Sequence, residues 1–181
     1  MSIRALCEGV VETLKVVLND PEGKSVGYQP SGKPPPRFGQ TYVAVSFAGS
    51  RSDASDPDRD ERSFDVAVTI THRTAYAPAD RRGKEASRPD PDAALTLADE
   101  LPGHLVGRWE PVARANALIA GSGVATNGFC ETFQSASVGE LEEPGADWLS
   151  GSGSAGGESG VQVIRITLSG ARRIRLLGTI S

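Results

Sequence analysis

Two cysteines and two histidines in 181 residues leave the chain little soft-ligand or imidazole chemistry. Cys7 and Cys130 are too few for a disulfide scaffold. Either one bridge joins them or both are free buried thiols, and the sequence leaves that open. A zinc site would need both cysteines together with His72 and His104, drawn from remote positions with none of the usual short spacings. An excess of basic residues is also lacking. Lys and Arg number 19 against 23 Asp and Glu, a net charge of −4, which excludes a globally basic nucleic-acid binder. No apolar run is long enough to span a bilayer. Residues 3–18 are interrupted by Arg4, Glu8, Glu12 and Lys15, unlike the core of a signal peptide, so cytosolic synthesis and no membrane partner are expected.

The catalytic motifs are missing too. No Gly-x-Ser-x-Gly elbow occurs. Residues 27–33 mimic a phosphate loop, but Pro34 stands where Ser or Thr should hold magnesium, and the prolines forbid the helix that would follow. Residues 151–156 spell the dinucleotide fingerprint inside a Gly/Ser tract, followed by strand instead of helix. Asp56, Asp58 and Asp60 resemble the start of a calcium loop. Glu61 replaces the turn glycine, and Ala67 occupies the twelfth position, where glutamate belongs. His72 reads as a strand-end residue and His104 as an exposed residue after a helix break. No catalytic, cofactor or metal residue is therefore assigned.

Glycine and proline are what the chain has in plenty: 21 and 12 residues, against roughly 12% for the two together in an ordinary chain. Residues 3–18 read as an amphipathic helix, with Ile3, Leu6, Cys7, Val10, Leu14, Val17 and Leu18 at spacings of three and four. Glu8 and Glu12 are placed to meet Lys15. A proline-rich linker, 20–39, leads to a strand at 41–48 with Val43, Val45 and Phe47 on one face. Residues 64–72 alternate Phe64, Val66, Val68 and Ile70 with polar or small residues, which predicts a strand buried on one face and wet on the other. A helix from Asp90-Pro91 buries Ala94, Leu95, Leu97, Ala98 and Leu101 and breaks at Pro102-Gly103. A second runs from Glu110 to Ile119 with Val112, Ala115, Leu118 and Ile119 inward, and Trp109 between the two helices reads as core. Strands follow at 129–138, 161–168 and 172–180, the last two separated by a Ser169-Gly170 turn. The expectation is one α+β domain over 1–181: a twisted, mainly antiparallel sheet, an N-terminal helix and a central helical segment packed on it, and extended loops at 49–63, 75–90 and 144–160.

Charge is segregated along the chain. Residues 121–160 hold six acids and no Lys or Arg; residues 161–181 hold Arg165, Arg172, Arg173 and Arg175 and no acid. Paired as neighbours, these segments complement each other across strands. On opposite edges, they suit head-to-tail contact between subunits.

The order of elements, with helix 3–18, strands 41–48 and 64–74, helix 91–105 and strands 129–138 and 161–168, resembles the tail-terminator and neck proteins of long-tailed bacteriophages. The resemblance implies a virion protein made in the bacterial cytoplasm. It would form a homo-oligomeric, hexameric ring on the head-proximal end of the tail tube, touching the tail tube protein and the head connector. DNA would pass through the lumen without specific recognition. Partner-contact candidates are Trp148 and Leu149 on the 144–160 arm, Asp56, Asp58 and Asp60 on the hairpin, and Arg172, Arg173 and Arg175 near the C-terminus. Trp148 and Leu149 either anchor a partner or fold back on their own sheet. Rival readings are another tail or neck component (tube, baseplate or head-completion protein) and a small enzyme or ligand-binding domain with a pocket near His72.

Overall fold

A computed structural model describes residues 2–35, 37–53, 59–74, 90–122, 128–144 and 160–176. Among these residues three helices pack on a curled, mixed sheet of six strands, an α+β fold. The elements run α1 (Ser2–Val17), β1 (Val26–Tyr28), β2 (Thr41–Asp53), β3 (Arg59–Arg73), α2 (Ala93–Leu105), α3 (Glu110–Gly121), β4 (Phe129–Glu131), β5 (Ser135–Val138) and β6 (Val161–Leu176).

The apolar stripe of α1 becomes core, with Leu6, Cys7, Val10 and Leu14 buried. Burial pushes the Cys7 thiol up to about 12, helped by the charge of Glu8, because the anion has lost its water. On the outer face Lys15 donates to Glu12 at 2.6 Å, whereas Glu8 pairs with Arg4 at 2.8 Å instead of reaching Lys15. Asn19, at φ 51°, ends the helix in the left-handed conformation that asparagine tolerates. The Asp20 carboxylate then accepts hydrogen bonds from Ser25 N at 2.7 Å, Lys24 N at 3.1 Å and Ser25 Oγ at 2.9 Å, turning the chain into β1.

α1 crosses α3 at Gly9. A Cβ there would lie 2.3 Å from Pro111 O and 2.8 Å from Ala115 N, so only glycine lets the two backbones meet. α2 does not break at Pro102. The ring removes one donor in the last turn, but burial of Leu101 and Leu105 carries the helix on, and Val106 N bonds to Pro102 O at 2.9 Å. Trp109 and Leu118, expected inside, are exposed. Leu105 and Val112 already fill the core beside Trp109, and Ala115 and Ile119 form the inward stripe of α3. Leu95 is exposed as well.

The sheet order is β1-β2-β3-β6-β4, with β5 also on the β4 side of β6. β1, inside the stretch expected to be pure linker, pairs parallel with β2, and all other pairings are antiparallel. Beneath the helices the register aligns Val43, Ile70 and Ile164, then Val45, Val68 and Ile166. All six are buried. Each such side chain contributes about 1.5–3 kcal/mol by leaving water. The opposite face of β3, expected to be wet, is also buried at Ala67, Thr69 and Thr71. The proline-rich segment lies over this face, with buried Gly32 against Ser46, Thr69 and Arg165.

Much of the 49–63 connection is strand: β2 runs to Asp53 and β3 begins at Arg59. Ser169-Gly170 is likewise no turn. It is a bulge within a single β6, because a hairpin would cost the ladder that β6 makes with β3 from Arg59 to Arg73. The irregularities fall on one line across the sheet. Ala48 is the extra residue in β2, Ser169-Gly170 lies opposite Asp65, and residues 132–134 separate β4 from β5 at the same level. Phe129–Val138 is therefore two strands, and buried Phe133 plugs the core at the break. This line divides the sheet into a helix-covered half and a distal half.

Candidate functional site

The distal half opens a polar cleft of about 360 Å³ on the face away from the helices, lined chiefly by Arg51, Glu61, Asp65, Glu131, Gln134 and Arg172. The bulge line builds it. The extra residue Ala48 shifts the alternation of β2, so that Arg51 is the Cα partner of Ser63. The bulge at Ser169-Gly170 does the same for β6, so that Arg172 is the partner of Ser63 from the other side. Glu131 of β4 is in turn the partner of Arg172. One row of the sheet thus presents Arg51, Ser63, Arg172 and Glu131 to one side.

Arg172 is the hub of the cleft. Its Nη2 donates to Glu61 and its Nη1 to Glu131 Oε1 at 3.4 Å, and Gln134 Nε2 donates to Glu131 Oε2 at 3.0 Å. The hydrogen bond to Glu61, and then the charge of that carboxylate, raise the Arg172 pKa further above its ordinary value, with burial acting the other way. The network ties β3, β6 and β4 together. On the helix side of the same strands Arg62 bonds Asp60 at 2.9 Å, and the Arg173 guanidinium sits 5.6 Å from the Phe64 ring centre. Phe64 meets Phe129 edge-on at 5.5 Å, which seats β4.

Of the residues singled out from the sequence, Asp60, Arg172 and Arg173 come together in this distal half, and Arg175 stands opposite Asp60 in the β3–β6 register. Asp56, Asp58, Trp148 and Leu149 lie outside the described residues, as do the 75–89 and 145–159 parts of the expected loops. The acidic and basic segments are neighbours, and the Arg172–Glu131 pair shows their signs complementing across strands. Arg51, Glu61, Glu131 and Gln134 were not marked as site residues. Residues 58–63 are polar at every position, so no alternation in the sequence extends the strand to them.

The cleft brings together Arg172, Glu61 and Glu131, which are engaged with one another, and Arg51 and Asp65, unpaired among the described residues, beside Ser63. His72 is buried at the far end of β3, its Nδ1 sharing a 2.8 Å hydrogen bond with Thr41 Oγ1. Cys7 is buried and Cys130, expected inside, is exposed. Cys130 points outward because Phe129 takes the core position of β4. The two thiols are free. Among the described residues no group of His, Cys, Asp and Glu converges to hold a metal, and no helix is long and apolar enough to cross a membrane. Set against models of known families and against curated proteins, the chain matches none.

Proposed function

We propose that the protein is a structural virion component: a tail terminator that forms a ring on the head-proximal end of a phage tail tube and joins it to the head connector. The observation that supports this reading is the distal sheet. Its strands extend past the helical cover, and Arg172, Glu61 and Glu131 are paired with one another there, as are Arg62 and Asp60. Such a polar surface fits a protein whose work is to hold neighbours in place, with no bond made or broken. The order of helix, long hairpin, two helices and return strands agrees with the same reading. DNA would traverse the ring lumen without being read, and a chain of net charge −4 has little tendency to grip phosphates.

The test is to mix the purified protein with tail tube protein, separate the assemblies by sedimentation and view them by electron microscopy. A single ring at one end of each tube is expected. A chain that never associates with the tube overturns the proposal. Stacked rings along the tube would move the assignment to the tube itself.

A further inference from the structure

Several charges in the distal half are ion-paired within the chain, but two other patches carry charges with no ion pair among the described residues, Arg108 in one of them donating only to the Gly103 carbonyl at 3.3 Å. The first lies along the sheet edge just after β5. There Glu140, Glu142 and Glu143 are exposed together with Val138, 51% exposed, and Leu141, 37% exposed. This segment hangs on β6 through Gly139 N to Arg165 O and through the paired bonds between Glu142 and Val163, all at 2.8 Å. Its other side is the outer edge of the sheet. The second patch is the corner where the ends of α1 and α2 meet the start of α3. A cleft of about 290 Å³ there is lined by Val16, His104, Arg108, Glu110 and Arg114, with Val16 68% exposed. Trp109, 49% exposed, stands between Arg108 and Glu110, and Leu118, 43% exposed, follows Arg114 one turn along α3.

None of Glu140, Glu142, Glu143, Arg108 and Arg114 forms an ion pair among the described residues. The two patches therefore match in kind. One carries surplus acid beside exposed aliphatic side chains; the other carries surplus base beside exposed Val, Trp and Leu. They lie on different parts of the molecule, one on the sheet edge and one on the helical layer. A single chain presents both, and their complementarity points to a head-to-tail contact. In a head-to-tail contact each patch meets its complement on a different neighbour, whereas a twofold contact would need both patches on one face.

We infer that the acidic edge 138–143 of one copy docks on the Arg108–Arg114 corner of a second copy of this chain. This deepens the ring reading above by naming the two faces that join neighbours. Ion pairs formed there are exposed at their rim, so self-association should weaken as salt rises.

The test uses two charge-reversal variants of the full chain, with folding checked by circular dichroism. One carries Glu140→Lys, Glu142→Lys and Glu143→Lys; the other carries Arg108→Glu and Arg114→Glu. Sedimentation velocity should show wild type self-associating, with each variant alone weakened by about tenfold or more. Mixed in equal amounts, the two variants should associate again, because each intact patch then meets its intact complement and each reversed patch its reversed one. Restoration on mixing is a result that damage to folding cannot imitate. If both variants assemble as well as wild type, or if both fail and the mixture stays dissociated, the docking assignment is wrong. Binding of wild type to tail tube in the assay above would still uphold the ring reading. If wild type is monomeric at every concentration and salt, the self-contact is overturned, and only the tube assay then bears on the function.

Discussion

β2, β3 and β6 each cross the bulge line once, and the same three strands change character there. On the helical side their facing positions are Val45, Val68 and Ile166, all buried. Past the line the helix-facing row is Ser50, Phe64 and Ala171, and it is the opposite face that carries Arg51, Ser63 and Arg172. Hydrogen bonding of the ladders continues through both halves, so the backbone does not explain the difference. What differs is the source of order. The covered half is held by apolar area removed from water, which is strong and non-directional. The distal half has the Phe64–Phe129 contact on one face and an arginine network on the other, which is weaker and directional. A molecule built this way has a stable body and an extension whose shape depends on a few polar contacts.

That contrast can be broken or sharpened experimentally. The largest effect should come from the body. Ile166→Ala removes a fully buried side chain from the central strand, at a cost of about 2–5 kcal/mol. Urea unfolding should show one cooperative loss felt in both halves, and an unfolding midpoint equal to wild type would mean that the core is not where stability resides.

Next comes the bulge line itself. Gly170 has φ 97°, and a Cβ there would stand 3.1 Å from Gln134. Gly170→Ala should cost about 1–3 kcal/mol through backbone strain. It should also raise amide exchange in 129–135 and 169–173 more than in 161–168. Uniform change across β6 would count against a local hinge in the sheet.

A smaller and more local effect is expected from Arg172→Met. The change frees Glu61 and Glu131 from their partner. Amides of β4 should exchange faster while the global unfolding midpoint barely moves. A midpoint shift as large as that of Ile166→Ala would erase the distinction between the halves.

The smallest effect concerns the turn into β1. Burial acts to raise the Asp20 carboxyl. The hydrogen bonds from Ser25 N, Lys24 N and Ser25 Oγ together outweigh it and hold the group below the usual carboxylate range. Its folded pKa is thus lower than the unfolded value of roughly 3.9. The stabilisation is complete above that value and is lost as pH falls through the folded pKa. Asp20→Asn should flatten this part of the acid-unfolding curve, with little change near neutrality beyond the weakened turn. An unchanged acid limb would show that Asp20 is not one of the groups setting it.

The helices and central strands were legible in the sequence because their patterns are local. The stripe from Leu6 to Leu14 and the alternation from Phe64 to Ile70 need no partner to be seen. The distal strands were hidden by their charge. Arg51, Glu61 and Arg62 look like a solvated loop until Arg172 arrives, 111 positions from Glu61, to pair with Glu61 and with Glu131 of the neighbouring strand. Burial errors share that cause. Trp109 is apolar enough for the core, but Leu105 and Val112 reach it first. Ala67, Thr69 and Thr71 look wet until the proline-rich segment crosses them.

By itself the sequence determined which segments can be helix or strand and where the glycines and prolines interrupt them, since propensity and periodicity act within a few residues. It also determined that soft-ligand chemistry is scarce, because composition caps what any fold can assemble. Only the tertiary structure decided that three irregularities fall on one line, that Arg172 is ion-paired inside the chain, and that Glu140, Glu142, Glu143, Arg108 and Arg114 form no ion pair among the described residues. Register and pairing between distant strands set those outcomes, and neither is a property of any short stretch of chain.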